Sequence, residues 1–322
     1  MQRKEGNRKM NIFIDNGEGH IMTKRMIPIL KKQNHKLYLN PQGCDVQLSF
    51  VRFGINTKLP KVVRIDGIYY NTMINWKAQN QSISNSHQIA DGIIYQSYYS
   101  RMFCEALLSK RKKNAKAAVI YNGIEPYWCG KPNDHEGFNI IIIGKHRRHK
   151  RLKEIIELFL KFHKINTDSH LHIFGLLYDN KIPKHPAIFY HGNVERTEMF
   201  SYLRSSDLTL HLSKRDSCPN SVLECISAGI PVITTNNCGG ATEMCKMTPG
   251  CIIIDGDGDY NDVSPVPHYN EEWNALPPNV EKNIIESMVS VYETRHKIEL
   301  PEMLNIQYVT KKYLEMLNNV KN

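Results

Sequence analysis

The stretch from Ser213 to Glu243, SKRDSCPNSVLECISAGIPVITTNNCGGATE, places Asp216 and Glu224 eight positions apart. Residue types around them predict a strand ending at Leu212, a polar loop, and a helix opening near Asn220. A Gly-Ile-Pro turn then leads to the next strand, and a Gly-Gly loop opens another helix. Asp216 is therefore expected on the loop and Glu224 inside the helix. Two carboxylates flanking a helix N-terminus can accept hydrogen bonds from two sets of sugar hydroxyls. The free backbone N–H groups of the segment between them, Cys218-Pro219-Asn220-Ser221, can take phosphate oxygens. Upstream, Gly144-Lys145-His146-Arg147-Arg148-His149-Lys150 follows an apolar run. Lys145 and Lys150 suit a phosphate as point charges but cannot make the planar bidentate contact of arginine, so Arg147, Arg148 or Arg151 is expected to compensate.

These loops need strands to carry them. In the first half the expected strands are 11–14, 36–39, 45–51, 62–65, 92–95 and 118–121, with helical patterns over 22–32 and 100–108. In the second half they are 139–143, 171–174, 188–190, 208–212, 232–234 and 251–254. The alternation argues for an α/β fold of parallel sheets covered on both faces. Leu152, Ile155, Ile156, Phe159 and Phe162 recur on one face of a helix, and further helices are expected over 281–296 and 307–318. The polar segment 131–137, KPNDHEG, reads as the linker between two domains, 1–130 and 138–300.

Composition narrows the class. With 322 residues, 41% hydrophobic and 23% charged, the chain suits two globular domains. No apolar run approaches the ~18 residues of a membrane span. Residues 1–10 are basic, without an apolar segment behind them; Met10 is a second candidate start, because the first strand begins after it. The eight cysteines include no C-x-x-C pair, so a reduced, cytoplasmic protein with free thiols is expected. A net charge of +10 attracts nucleic acid, anionic membrane or phosphorylated ligands without choosing among them.

The segment Asp216-x7-Glu224, followed by Ala228-Gly229-Ile230-Pro231-Val232, resembles the donor-site signature of the retaining GT-B glycosyltransferases, glycosyltransferase family 4 of the group 1 type, with Asp in place of the first Glu. The run Gly144-Lys145 to Lys150 is similar to the family's Gly-Arg-x4-Lys. Weaker matches are Asn122-Gly123, His191-Gly192-Asn193-Val194, and Asn16-Gly17-Glu18-Gly19 behind the first strand. The resemblance covers about residues 90–255. It implies a GT-B fold, two Rossmann-like parallel-sheet domains facing a cleft, with the helix in 301–322 packing back on the first domain. It further implies that Glu224 holds the ribose and Asp216 the transferred sugar, while Lys145 and Lys150 balance the leaving diphosphate. Gly17, Gly19 and Gly144 would approach the phosphates, and the backbone at Val194 would read the base. A nucleotide diphosphate sugar, UDP-linked, would be the co-substrate, with neither metal nor cofactor. The acceptor would be a glycan, lipid or protein. The family's N-terminal His motif is not recognisable; the corresponding region reads Lys61-Val62-Val63-Arg64-Ile65-Asp66-Gly67, which makes Asp66 the candidate catalytic and acceptor-side residue.

Plainer readings stand beside these. Asp216 and Glu224 fit a helix cap and a surface acid, the cluster 145–153 a solvated basic patch, and Asp66 a turn. His20 fits a surface histidine. Asp255-Gly256-Asp257-Gly258-Asp259 is similar to a calcium loop, but Tyr260 stands where an EF-hand needs Gly and Val266 where it needs Glu. A nucleotide-sugar epimerase or a phosphorylase could share the fold, but carboxylates for the first and a phosphate site for the second cannot be placed. A nucleic-acid-binding protein would interleave aromatics with the cations; the 145–153 cluster has none, so no nucleic-acid partner is expected. The basic charge is compatible with peripheral association at an anionic membrane.

Overall fold

The computed structural model describes residues 9–126, 136–178, 181–267 and 270–321. Most of the expected linker, 131–135, lies outside the described residues, as does most of the basic start. Two compact units form: Met1–Tyr70 with Ile74–Glu125 and Glu302–Asn322, and Asn71–Met73 with Pro126–Pro301.

The first unit runs β1 (Asn11–Asp15), α1 (Ile21–Lys32), β2 (Lys36–Tyr38), β3 (Val46–Phe50), β4 (Lys61–Ile65), α2 (Trp76–Ile89), β5 (Gly92–Tyr95), α3 (Tyr98–Leu107) and β6 (Lys116–Val119). Its sheet has the order β2-β1-β3-β4-β5-β6, every pair parallel. Strands β3, β4 and β5 are buried at every residue; β5 reads as an apolar run, while β3 and β4 bury Gln47, Ser49, Lys61 and Arg64 among their apolar residues. The strand expected at 118–121 starts two residues earlier, because Lys116 pairs with Gly92 at the register of β5. Helix α2 escaped the apolar pattern. Its buried face is largely polar: Asn80 holds both backbone groups of Tyr69, and His87 joins the Tyr95 hydroxyl to the Ser109 carbonyl.

The second unit runs β7 (Phe138–Ile143), α4 (Leu152–His163), β8 (Ser169–Phe174), β9 (Ile188–Gly192), α5 (Arg196–Ser205), β10 (Thr209–His211), α6 (Asn220–Ser227), β11 (Val232–Thr235), α7 (Gly240–Lys246), β12 (Ile252–Ile254), α8 (Glu271–Asn274) and α9 (Pro278–Thr294). Two parallel three-stranded sheets, β7-β8-β9 and β10-β11-β12, are joined by a parallel bridge between Ile140 and Leu208. The apolar face of α4 closes this core: Leu152, Ile155, Ile156, Phe159 and Phe162 pack with Val280, Ile284, Met288 and Val291 of α9.

After a short turn the chain ends in α10 (Ile306–Lys321), which belongs to the first unit. Ile306, Val309, Tyr313 and Leu317 share a core with Ile12, Val46 and Val62. Two glycines admit the helix. A side chain at Gly123 would meet Val309 at 2.8 Å, and one at Gly92 would meet Val320 at 2.8 Å. Both carboxyl-end strand loops and helix N-termini thus arise in each unit, the places where anions bind in parallel α/β sheets.

Phe159→Ala empties a fully buried site of α4 and is expected to destabilise the second unit by about 3–5 kcal/mol. Glu157→Ala, on the exposed face of the same helix, is expected to stay within about 0.5 kcal/mol. Urea denaturation of both variants checks the pair.

Candidate functional site: a cationic donor pocket

The loop after β7 is set by its last residue, Arg151. This residue opens α4 in the left-handed region, at φ 56°, a costly conformation for a residue with a side chain. That side chain is wholly buried. It makes a bidentate pair with Asp257 at 2.6 and 2.8 Å and donates to the carbonyls of Asn274, Ala275 and Leu212. Arg148 is held as firmly, by Glu154 at 2.5 Å and by Glu271 at 2.6 Å. Both guanidiniums are therefore committed to scaffolding, which leaves Arg147, in the lining of the cavity described next, as the one of the three placed to compensate for lysine at position 145. Arg147 is exposed and stacks over Tyr178 at 5.2 Å.

Between these anchors lies a cavity of about 690 Å³ within the second unit. Of the expected residues, Gly144, Lys145, Lys150, Val194, Asp216, Pro219, Asn220, Ser221 and Glu224 line it. Cys218 does not. It is buried beside Gly240, where a side chain would meet the Cys218 Cα at 3.1 Å. No side chain caps α6 at Pro219, so the positive end of that helix opens at the cavity.

The two carboxylates of the wall are each paired. Lys150 Nζ donates to Asp216 Oδ2, and Arg196 donates to Glu224 Oε1 at 2.7 Å. Burial pushes the Asp216 carboxyl up, but Lys150 and His211 outweigh it and hold the group below the usual carboxylate range. His146, also in the wall, donates to the Phe174 carbonyl at 2.9 Å and is held below the usual imidazole value by burial. His211 was missed from sequence: it ends β10 with its Nε2 3.7 Å from Asp216 Oδ2. Burial lowers its pKa to about 4, so the ring is neutral at pH 7.

Gly17, Gly19 and Asp66 belong to the first unit and take no part in this cavity. Gly17 is required by a close approach, since a side chain there would sit 2.3 Å from the Phe50 ring; Gly19 has open space. Asp66 pairs with buried Arg64 and with His20 at 2.6 Å. His20 is not the surface residue expected. Its ring stacks on Phe50 at 4.5 Å, and its Nδ1 accepts the Met22 N–H at the start of α1, which leaves the ring proton on Nε2 to meet Asp66. Arg64 also bonds Asn122, tying the Asn-Gly turn to this carboxylate. Among the described residues no group of three His, Cys, Asp or Glu side chains is placed to hold a metal.

Residues 130–259 match the family model described as Glycosyl transferases group 1. The matched segment contains every residue that lines the cavity. No curated protein sequence matches the chain. Among solved structures, the Anabaena protein HepE, in complex with UDP and glucose, is 12% identical with TM-score 0.59, covering 96% of this chain and 100% of its own. The GtfA/B complex is 11% identical with TM-score 0.61, covering 85% of this chain and 57% of its own. WaaG, a glycosyltransferase involved in lipopolysaccharide biosynthesis, is 12% identical with TM-score 0.55, covering 85% and 78%. The chain thus spans little more than half the length of the GtfA/B chain it matches. At such identities the likeness is one of fold, GT-B with two Rossmann-like parallel-sheet domains.

Burial, with Arg64 and Arg25 beside it, holds His20 down to about 4 from its ordinary 6.5. Between those values the unfolded chain binds the proton first, so stability falls as pH drops through the window and levels off below it. His20→Gln is expected to make the fall between pH 6.5 and 4 shallower, as read from the denaturation midpoint against pH.

Proposed function

We propose that the protein transfers a hexose from a UDP-linked sugar to an acceptor hydroxyl with retention at the anomeric carbon. The observation that carries this reading is that Lys150 and Asp216, 66 positions apart, bond to each other in the wall of one cavity that also holds Lys145, Glu224 and the open end of α6. The likeness to proteins described with UDP and glucose, and with UDP and GlcNAc, supports a UDP-linked donor.

In this reading the diphosphate lies against Lys145, Lys150 and the first turn of α6. The ribose lies on Glu224 and the sugar on Asp216, with the base along Gly192, Asn193 and Val194. Lys150 turns from Asp216 to the phosphates as they arrive. The acceptor oxygen forms its bond to the anomeric carbon on the face from which the diphosphate departs. The carbon–oxygen bond to the phosphate breaks, and the leaving phosphate oxygen takes the acceptor's proton. Charge on that phosphate grows toward the transition state, so preorganised cations act mostly on turnover. We place Asp66, paired with Arg64 and His20, on the acceptor side.

The basic character of the chain is segregated. The first unit carries 23 Lys and Arg against 10 Asp and Glu, a net +13, and the second carries 19 against 22, a net −3. An acceptor side of that sign favours an anionic partner, an acidic glycan or an anionic membrane surface, and its capture is expected to weaken with salt. The free thiols and the basic first unit favour a cytoplasmic reaction with peripheral attachment to such a surface. No helix among the described residues is long and apolar enough to cross a membrane.

Lys150→Ala is expected to cut turnover of the donor by about 10²–10³ while moving its Michaelis constant far less. Chelator is expected to leave the wild-type rate intact, because the cations do the work that a metal does elsewhere. Donor turnover with UDP-glucose tests both. Wild-type turnover in the Lys145/Lys150 double alanine variant, or complete loss of activity in EDTA, sinks the reading.

A further inference from the structure

Asp216 Oδ2 has two neighbours that could serve it, and in the free protein only one does. Lys150 Nζ donates to that oxygen, while His211 Nε2 stands 3.7 Å away, just beyond hydrogen-bond reach. Among the described residues of the cavity wall, His211 Nε2 and Ser213 Oγ are the buried side-chain polar atoms without a hydrogen-bond partner. An orphaned ring nitrogen in a wall is costly, and it signals a bond made in another state of the site.

The backbone around this nitrogen is fixed. The His211 carbonyl accepts from Thr234 Oγ1 at 2.7 Å and from Cys238 Sγ at 3.3 Å, and β10 pairs His211 with Thr234. The Asp216 carbonyl accepts the Gly240 N–H at 2.7 Å. Neither residue can drift, so a rotation of the side chains closes the gap between them.

Resting on the donor site proposed above, we propose that His211 is a positioning residue for Asp216: as a donor diphosphate draws Lys150 away, the His211 Nε2–H moves onto the oxygen that Lys150 leaves. The need is electrostatic. Asp216 is almost enclosed, with 16% of its side chain exposed, and a buried carboxylate stripped of its cation is driven toward protonation. A protonated Asp216 would turn one of its acceptor sites into a donor and lose the charge that strengthens the others toward sugar hydroxyls. A neutral imidazole supplies an N–H without adding charge. It keeps the carboxylate ionised and aimed while the whole charge of Lys150 goes to the phosphates. One oxygen thus alternates between two donors, and its second oxygen remains for the sugar.

With UDP alone the space for the sugar admits water to Asp216, so the loss of Lys150 costs little there; a sugar displaces that water and needs the ionised carboxylate, so UDP and UDP-glucose separate the exchange from a scaffold role. Calorimetry compares the wild type with H211L, which fills the space without a donor, and with H211N and H211Q, which keep an N–H. Melting temperatures confirm folding. H211L is expected to bind UDP within about twofold of the wild type but to lose about tenfold in affinity for UDP-glucose, and at least one amide variant is expected to recover most of that loss. Wild-type affinity for UDP-glucose in H211L overturns the exchange and leaves the donor site standing. So does equal loss for both ligands in all three variants, which is what a purely structural histidine would give. Failure of the wild-type protein to bind either ligand overturns the donor site itself, and the exchange with it.

Discussion

A guanidinium without access to water must find a partner for every N–H it turns inward, and Arg151 finds them on three segments of chain. Its partners are Leu212 just after β10, Asp257 in the loop after β12, and α8 with its cap at Asn274 and Ala275. Thr235 at the end of β11 donates to the same Asp257 carboxylate at 2.6 Å. The left-handed backbone at Arg151 is over-determined by this set, and Lys150 is the residue immediately before it. The position of the cation that faces the cavity is thus a consequence of a buried ion pair behind it. Arg148 adds a second strut through Glu154 and Glu271. A break in either pair would leave a buried charge unpaired, a penalty of several kcal/mol that lands on the loop where the chemistry is proposed.

In front of that scaffold the cavity wall is internally compensated. Each carboxylate has a cation, Lys150 for Asp216 and Arg196 for Glu224. A diphosphate ligand carries negative charge into such a site and competes with the carboxylates for the same cations. Binding then consists of an exchange of partners rather than a simple addition of contacts. The exchange suits a transferase, because a cation freed for the phosphates is worth most when charge builds on them. It also gives a reason for a neutral imidazole in the wall, where a third fixed cation would compete with the ligand's own partners.

Much of the fold and the site was legible in the sequence, and the reasons are particular. Short apolar-rich stretches bounded by polar turns mark β1, β3, β5 and β7, which fall within a residue or two of their expected bounds, although β3 buries Gln47 and Ser49. The single apolar face of α4 marked it, and the spacing of Asp216 and Glu224 placed one acid on a loop and the other on a helix. What stayed hidden depends on pairs distant in sequence. Arg148 and Arg151 read as spare phosphate binders, because Glu271 and Asp257 lie 123 and 106 positions away. His20 read as a surface residue because Asp66, 46 positions on, gives no local sign of it. Helix α2 was hidden for the opposite reason: it buries Asn80, Ser84, Ser86 and His87 in place of an apolar stripe, and each of them bonds a partner outside the helix, Ser86 bonding Ser82 within it as well.

The central claim is that one cavity in the second unit takes a nucleotide diphosphate by drawing Lys150 off Asp216. A crystal structure of the protein with UDP tests it most directly. The account requires the β-phosphate within hydrogen-bond distance of Lys150 Nζ and of the first-turn N–H groups of α6, with the ribose on Glu224. UDP bound elsewhere, or bound here with Lys150 still on Asp216 and turned from the phosphates, would contradict it.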